Sequence, residues 1–433
     1  MDVLIKILQV IIAFSVLIIL HEFGHFLFAR LFGIRVDKFY LFFDIGGKSL
    51  LKFKKGDTEY GIGWLPLGGY CKIAGMVDES MDMEALKKEP QSWEFRTHPA
   101  WQRLLVMAGG VLFNFLFAIL VYISIMAIWG QSYISNENTQ VWVGETAYEM
   151  GFRNGDRILA MDDYVPEDFA MLQADLARRD VHVVKVLRGA DTVDLYLDRS
   201  LISKLLGDSQ MFDIALPFVV AQVQPEGVNP DCGLQAGDRI TAFDGQSVSF
   251  VQDAREVLSS KAGGTTVATV QRGLESFPLE MQVDSLGRIG VILESPDVRH
   301  RSYNVLQAIP AGLEYTFTTI GGYLQDLRLM VTPSSGAYKY VGSFIAIGQV
   351  FPSTWDWYRF MSILALLSIM LAVMNLLPIP GLDGGHILFV LYEMVTGRKP
   401  SERFLAVAQM IGMVLLLGLM VLAFGNDIGR LIH

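Results

Sequence analysis

Four stretches of this chain are long and apolar enough to cross a membrane, and this feature restricts its possible folds more than any other. They lie within 1–31 and at about 104–130, 358–377 and 404–424, and a membrane-spanning helix needs about 20 mainly apolar residues. The first stretch lacks a small-residue cleavage site, so we interpret it as a retained span and not as a secretory signal.

The composition predicts domains in water beside these spans. Of the 433 residues, 52% are hydrophobic and 18% are charged, with a mean hydropathy of +0.38. This balance is too apolar for an ordinary soluble protein and too charged for a bare bundle of helices. The predicted fold is a polytopic α-helical membrane protein with about four transmembrane helices and water-exposed domains. The net charge of −10 gives no indication of a nucleic-acid partner.

The distribution of lysine and arginine predicts the orientation of the spans. These residues are concentrated in the loop 32–103 and in the loop between spans three and four, which places both loops in the cytoplasm. The segment 131–357 and both termini are then expected on the outer side. Spans one and three run in the same direction, so their C-terminal halves end at the same depth. Cys71 and Cys232 fall on opposite sides and are predicted to be free thiols.

The sequence HEFGH places three costly polar side chains, His21, Glu22 and His25, in the C-terminal half of the first span. On a helix, two histidines four residues apart lie one turn apart on one face. They can share a zinc ion, with the glutamate beside them as general base. Ionisable groups inside a span usually mark a functional site. The alternative is a pair of core histidines bonded to their neighbours.

The sequence NLLPIPGLDGGH (375–386) ends the third span at the matching depth and offers a third ligand. A catalytic zinc usually has three protein ligands and an open position for water. Asp383 is the best candidate, because the prolines Pro378 and Pro380 interrupt the helix just before it. Non-helical backbone at membrane depth is tolerated only where it is buried in protein or lines a wet cavity. His386 is an alternative ligand, and a simple span-ending turn is the alternative for the whole motif.

These groups predict peptide-bond hydrolysis without a covalent intermediate. Bound zinc lowers the pKa of a water molecule to about 7 and polarises a carbonyl group. Glu22 would take the proton from that water and later pass it to the leaving amine.

HExxH in one span, paired with N-x-x-P-x-x-x-x-D-G in a later one, resembles the signature of the site-2 proteases, which are zinc intramembrane metalloproteases. The second motif reads Asn375, Pro378, Asp383 and Gly384 in this chain. The chain is most similar to the regulator-of-sigma-E protease group, over nearly its whole length. The stretches AGGVLFNF (108–115) and SERF (401–404) add to this resemblance.

The resemblance implies one Zn²⁺ per chain, held by His21, His25 and Asp383, with Glu22 as the catalytic residue. It also implies that Asn375 and Asn114 contact the substrate. YGIGWLPLGGYCKIAGM (60–76) resembles the re-entrant β-hairpin loop of the group, at about 58–76, which would supply an edge strand to an unwound substrate. An ordinary cytoplasmic loop is the alternative. The substrate-binding residues expected in this loop are Trp64, Leu65, Pro66, Leu67, Gly68, Gly69 and Tyr70.

The outer segment contains a duplication. GFRNGDRILAMDD (151–163) realigns with GLQAGDRITAFDG (233–245), an offset of 82 residues, and each copy is followed by a helical and then a β-rich stretch. This order resembles tandem PDZ domains, at about 141–200 and 217–285. PDZ folds bind peptides by adding a strand to a sheet edge, and the resemblance implies that the pair admits only membrane proteins trimmed of bulky outer domains. A passive spacer is the alternative.

The stretch at 300–331 carries apolar residues at helical spacing, interrupted by glycine and proline. We predict an amphipathic helix on the outer membrane surface. A fifth span is the alternative, but it would reverse span three and separate the two zinc motifs.

Taken together, the sequence predicts a zinc-dependent intramembrane endopeptidase of the bacterial inner membrane. Its PDZ domains would be periplasmic, and its active site would lie near the cytoplasmic side. The resemblance implies single-span substrates, such as anti-sigma factors and remnant signal peptides, after earlier trimming. An inactive PDZ scaffold would predict a lost ligand or glutamate. A metal transporter would predict polar residues spread over several spans at both depths.

Overall fold

The computed structural model describes residues 2–66, 68–76, 89–198, 201–207 and 210–432. The chain forms two compact units. The first comprises Met1–Gly130, Ser302–Val331 and Tyr338–His433, and the second comprises Gln131–Arg301 and Thr332–Ala337. The helices in chain order are α1 Asp2–Leu31, α2 Ala100–Ile128, α3 Glu145–Glu149, α4 Leu172–Arg178, α5 Ile202–Gly207, α6 Val251–Ser259, α7 Val305–Val331, α8 Phe344–Val350, α9 Trp357–Leu376, α10 Asp383–Thr396 and α11 Glu402–Ile432.

Four helices of the first unit, α1, α2, α9 and α11, are long and apolar enough to cross a membrane. Within the described residues, this agrees with the predicted number of membrane-length helices. Helix α2 is central, because it contacts α1, α7, α9 and α10. Lipid tails are as apolar as leucine, so close packing and polar contacts, and not the hydrophobic effect, hold such helices together.

A four-stranded sheet follows the first span. Its strands are β1 Val36–Leu41, β2 Ser49–Lys55, β3 Thr58–Gly63 and β4 Tyr70–Ile73, in the order β2-β3-β1-β4. The predicted hairpin at 58–76 is therefore wrong: β1 lies between β3 and β4, parallel to β3 and antiparallel to β4. An isolated two-stranded hairpin is marginally stable, and β1 provides both strands with a partner. Strand β4 is left at an edge of the sheet.

The predicted helix at 300–331 is α7, and its small residues face α2. Ala308, Gly312 and Thr316 are buried. A Cβ atom on Gly312 would lie 2.7 Å from the Cα of Ile123, so only glycine allows this approach. Further along, apolar side chains of α7 pack against a cluster formed by α2 and α9. The predicted position of α7 on the outer membrane surface stays a prediction.

The second unit contains the duplicated fold. Its strands are β5 Gln131–Ile134, β6 Val141–Val143, β7 Arg157–Met161, β8 Val183–Arg188, β9 Asp191–Tyr196, β10 Phe212–Ile214, β11 Val220–Val223, β12 Arg239–Phe243, β13 Gln246–Ser247, β14 Thr265–Arg272, β15 Glu275–Gln282, β16 Val291–Leu293 and β17 Val298–Arg301. The first repeat has the sheet β7-β8-β9 with helix α4, and the second has β13-β12-β14-β15 with helix α6. Both repeats extend beyond their predicted ends at 200 and 285. The reason is that β10 pairs with β6, and β16 pairs with β11, so the last strand of each repeat returns to the first.

An ion pair is duplicated along with the fold. Asp156 is fully buried, and both its oxygens accept hydrogen bonds of 2.8 Å from Arg188. In the second repeat, Asp238 is buried and accepts two bonds of 2.7 Å from Arg272. Each arginine also donates to the carbonyl of a glycine near the start of the repeated motif. Fork-shaped pairing of this kind is both strong and geometrically specific, and the repeated motif contained only the aspartates.

Replacing Asp238 with asparagine should destabilise the second repeat by about 3 kcal/mol, because the new NH₂ group would face the donors of Arg272 in a buried place. The Arg272 bonds hold the pKa of Asp238 below its usual range. Stability from this pair is therefore present above the ordinary pKa of about 4 and is lost as pH falls through the lowered value. Amide exchange in β14 of the full chain would measure both effects, with exposed Glu280→Gln as the matched control. Unchanged exchange in D238N would contradict the structural role of the pair.

Candidate metal centre

Three side-chain atoms converge between helix α1 and the start of helix α10. His21 Nε2 and His25 Nε2 lie 3.3 Å apart, and they lie 3.2 and 3.3 Å from Asp383 Oδ2. Among the described residues, these three form the group that could hold a metal ion. The structure thus brings together the two motifs that are about 360 residues apart in the chain. His386, the alternative ligand, is not in this group.

The distances and donor types fit a zinc ion. Tetrahedral zinc with bonds of about 2.0–2.1 Å to nitrogen and oxygen places its ligand atoms about 3.3–3.4 Å apart, which matches the three observed separations. Asp383 Oδ2 is buried and has no hydrogen-bond partner of good geometry. A buried acceptor without a donor costs free energy, and a cation held between the three atoms would remove that cost.

The two glycines after Asp383 allow the first turn of α10 to pack directly against the backbone of the preceding segment, 376–380. A Cβ atom on Gly384 would lie 2.1 Å from the carbonyl oxygen of Leu377, and one on Gly385 would lie 2.7 Å from that of Ile379. Larger residues would push the helix away and move the carboxylate with it. Close backbone approach is thus the reason for the two glycines.

Helix α2 supplies a partner for the second nitrogen of each histidine. His25 Nδ1 lies 2.8 Å from the carbonyl oxygen of Val106, so Nδ1–H donates and Nε2 keeps its lone pair for a metal. His21 Nδ1 lies 3.2 Å from the side-chain amide of Asn114. Asn114 is fully buried, so the structure does not support its predicted contact with substrate.

Glu22 lies beside the sheet that follows the first span. It is half-buried, and the backbone N–H of Cys71 in β4 hydrogen bonds to it. Strand β4 ends the sheet order β2-β3-β1-β4, so an unpaired strand edge lies in the neighbourhood of the glutamate. Just before β4, a Cβ atom on Gly69 would lie 2.5 Å from the Ile18 side chain and 3.7 Å from Glu22 Cγ. The segment is therefore tightly packed on helix α1 at the turn that carries the catalytic motif.

The other residues predicted to bind substrate differ in their exposure and in their contacts. Trp64 is half-exposed and donates to the carbonyl of Ile45, and Tyr70 donates from its hydroxyl to Asp44 at 2.7 Å. Leu65 forms an isolated β-bridge, Pro66 is exposed and Gly68 packs on an aromatic ring. Leu67 lies outside the described residues. Asn375 is half-buried in the last turn of α9.

An ion pair that was not predicted from the sequence links α10, the helix that begins at Asp383, to the central helix α2. Arg103, in the first turn of α2, lies 2.5 Å from Glu393 of α10, and its Nε donates to the carbonyl of His98 at 2.9 Å. Both charged side chains are largely buried. The sequence did contain a signal for this pair: Glu393 is an acidic residue within the apolar run of α10, and such a group is costly without a partner.

Replacing Gly24 with alanine should separate α1 from α2. Gly24 lies between the two histidines, and a Cβ atom there would be 2.2 Å from the carbonyl oxygen of Gly109. We expect the free energy of unfolding to fall by about 2 kcal/mol. Zinc content should fall as well, because both histidines contact residues of α2. Thermal unfolding and metal analysis of the purified protein would measure these effects. Gly321→Ala is the control, since nothing lies within 4 Å of its new methyl group. Equal behaviour of the two variants would contradict the close contact.

Comparisons with known proteins identify the family that this chain resembles. Peptidase family M50 matches residues 9–419. Protease RseP of Yersinia pestis is 30% identical over 100% of both chains. Regulator of sigma-E protease RseP of Escherichia coli K12 is 30% identical over 97% of this chain and 98% of its own. A Xylella fastidiosa protein whose name contains the words zinc metalloprotease is 30% identical over 99% of both chains. The PDZ domain of an SdrC-like protein from Listeria monocytogenes matches 17% of this chain and 84% of its own, at 27% identity and a TM-score of 0.16.

Proposed function

The chain belongs to peptidase family M50 and is an intramembrane zinc metalloprotease, and on this premise we propose that it cuts single-span membrane proteins inside the bilayer, with one zinc ion per chain. The observation that carries this proposal is the convergence of His21, His25 and Asp383 in a unit with four membrane-length helices. A bacterial inner-membrane location agrees with these helices and with the relatives.

We assign a separate role to each polar group of the site. His21, His25 and Asp383 would hold the metal. When bound, zinc supplies a Lewis acid that polarises the scissile carbonyl and makes a water molecule more acidic. The Glu22 carboxylate accepts the proton of the attacking water and then donates it to the leaving amine nitrogen. The Cys71 amide orients this carboxylate.

The substrate would bind as a strand at the free edge of β4. A peptide bond within a helix is shielded by its neighbours, so the substrate must unwind before the bond can reach the metal. Strand addition replaces the lost helical hydrogen bonds with bonds to the edge. Because Cys71 of β4 hydrogen bonds to Glu22, a strand added to β4 would pass close to the base. Asn375 would hold the substrate backbone.

The duplicated domains would act on the outer side as a filter for trimmed substrates, and their two grooves differ. In the first repeat, helix α5 packs against α4: Leu205 is buried, and Gln173 bonds both the carbonyl of Leu205 and the amide of Met211. The second repeat connects β15 directly to β16 without such a helix. An extended peptide would therefore bind more readily beside β16 than beside β10.

The experiment that tests this function uses the full-length protein in liposomes with a single-span test protein in two forms. One form has a short outer tail, and the other has a large folded outer domain. We expect zinc-dependent cleavage of the first form within its span and little cleavage of the second. Absence of cleavage would support an inactive scaffold instead, and cleavage outside the span would contradict cutting inside the bilayer. Equal cleavage of both forms would refute the filter role of the duplicated domains and leave the proposed protease activity standing.

A further inference from the structure

The amide of Asn114 is in an unusual position for a fully buried side chain. Its Nδ2 faces His21 Nδ1 at 3.2 Å, while its Oδ1 is buried without a hydrogen-bond partner. A buried acceptor of this kind calls for an explanation, because most buried polar groups are paired. The two ends of the amide have nearly the same shape, so the side chain can present either one to the imidazole.

Zinc binding decides which end must face His21. A metal on Nε2 takes the lone pair of that nitrogen, so the neutral imidazole carries its proton on Nδ1. An Nδ1–H group needs an acceptor, and the NH₂ end of asparagine can only donate. With zinc bound, the amide must therefore present Oδ1, the oxygen that has no partner in the structure. The Val106 carbonyl already supplies the corresponding acceptor for His25.

We propose that Asn114 is a positioning residue that holds His21 in its zinc-binding tautomer through Oδ1, and that Ser368 holds Asn114 in place. This inference rests on the proposed function, because it assumes that the bound ion is zinc. Ser368 is fully buried in α9, and its hydroxyl donates to the backbone carbonyl of Asn114 at 2.8 Å. One polar chain thus joins α9, α2 and α1 at the level of the metal site.

This role differs from substrate binding in a measurable way. Asn114 has no exposed surface, so a bound peptide could reach it only if the surrounding helices moved. A residue that orients a ligand acts on metal affinity before any substrate is present. A residue that holds the substrate acts on KM and leaves metal affinity unchanged.

The test measures the zinc affinity of the full-length protein by competition with a chromophoric chelator, without substrate. Asn114→Leu should bind zinc 10- to 100-fold more weakly, the usual loss when the outer partner of a ligand is removed. Asn114→Asp should keep zinc affinity, because a carboxylate accepts the Nδ1–H bond. Ser368→Ala should fall between the two. The cobalt-substituted forms should show an altered visible spectrum in N114L and an unaltered one in N114D.

Asn375→Leu is the matched control, because it also removes an amide from a span helix near the site. It should bind zinc as the wild type does while cleaving substrate poorly. Wild-type affinity in N114L would overturn the proposal, and so would equal loss in N114D. If N114L does not fold, the zinc affinity of N114D alone tests the proposal, since the aspartate side chain offers only acceptors to His21. Failure of the wild type to bind zinc would instead refute the proposed function.

Discussion

Replacing Glu22 with glutamine is expected to slow cleavage of a single-span substrate by about 100- to 10,000-fold, while zinc content stays at one ion per chain. Glutamine has nearly the same size and can still accept a hydrogen bond from the Cys71 amide, but it cannot take a proton from water. Glu22 is not among the three converging ligand atoms, so the metal should remain. The measurement pairs a cleavage assay in liposomes with metal analysis of the same preparation.

The control for this variant is Glu314→Gln, which removes an exposed carboxylate from α7 of the same unit. It should cleave at the wild-type rate. Wild-type cleavage by E22Q would show that another group takes the proton. Loss of zinc together with activity would show that Glu22 supports the metal site and would leave the base unassigned.

Replacing Asp383 with alanine is expected to remove most of the zinc and, with it, nearly all activity. The loss in affinity should exceed the 10- to 100-fold that an outer partner costs, because one of three protein ligands disappears. The two histidines, whose Nε2 atoms lie 3.3 Å apart, would be left as the remaining protein ligands, and two ligands hold a zinc ion less tightly than three. Metal analysis after dialysis against a weak chelator would measure the loss.

His386→Ala is the matched control for the third ligand. His386 lies one turn further along α10, outside the converging group, and its replacement should leave zinc content unchanged. The reverse outcome, with zinc retained in D383A and lost in the His386 variant, would exchange the two assignments. Thermal unfolding of both variants would establish that neither change disrupts the helix.

Local spacing explains why the catalytic motif could be predicted from sequence. His21 and His25 lie on one helical face whatever surrounds them, because the helix has 3.6 residues per turn. The proximity of Asp383 to the histidines was predicted by counting spans, because two spans that run in the same direction are expected to end at the same level. The duplication was readable because an offset of 82 residues repeats the same glycines and aspartates.

Contacts between distant segments were not readable in the same way. The insertion of β1 between β3 and β4 depends on which strand reaches which partner, and β propensity does not encode that choice. The partners Arg188 and Arg272 lie more than 30 residues from their aspartates. Asn114 was assigned to the substrate from resemblance, and only packing shows that its amide faces His21.

The sequence by itself thus determined the number of spans, the chemistry of HEFGH and the existence of two repeated domains, because periodicity, length and side-chain chemistry are local properties. The tertiary structure alone decided that Asp383 and not His386 joins the histidines, that β4 lies beside Glu22, and that the side chain of Asn114 faces His21. These features depend on how closely helices approach, which small residues such as Gly24 and Gly109 permit. The approach is set jointly by residues far apart in the chain, and no single segment specifies it.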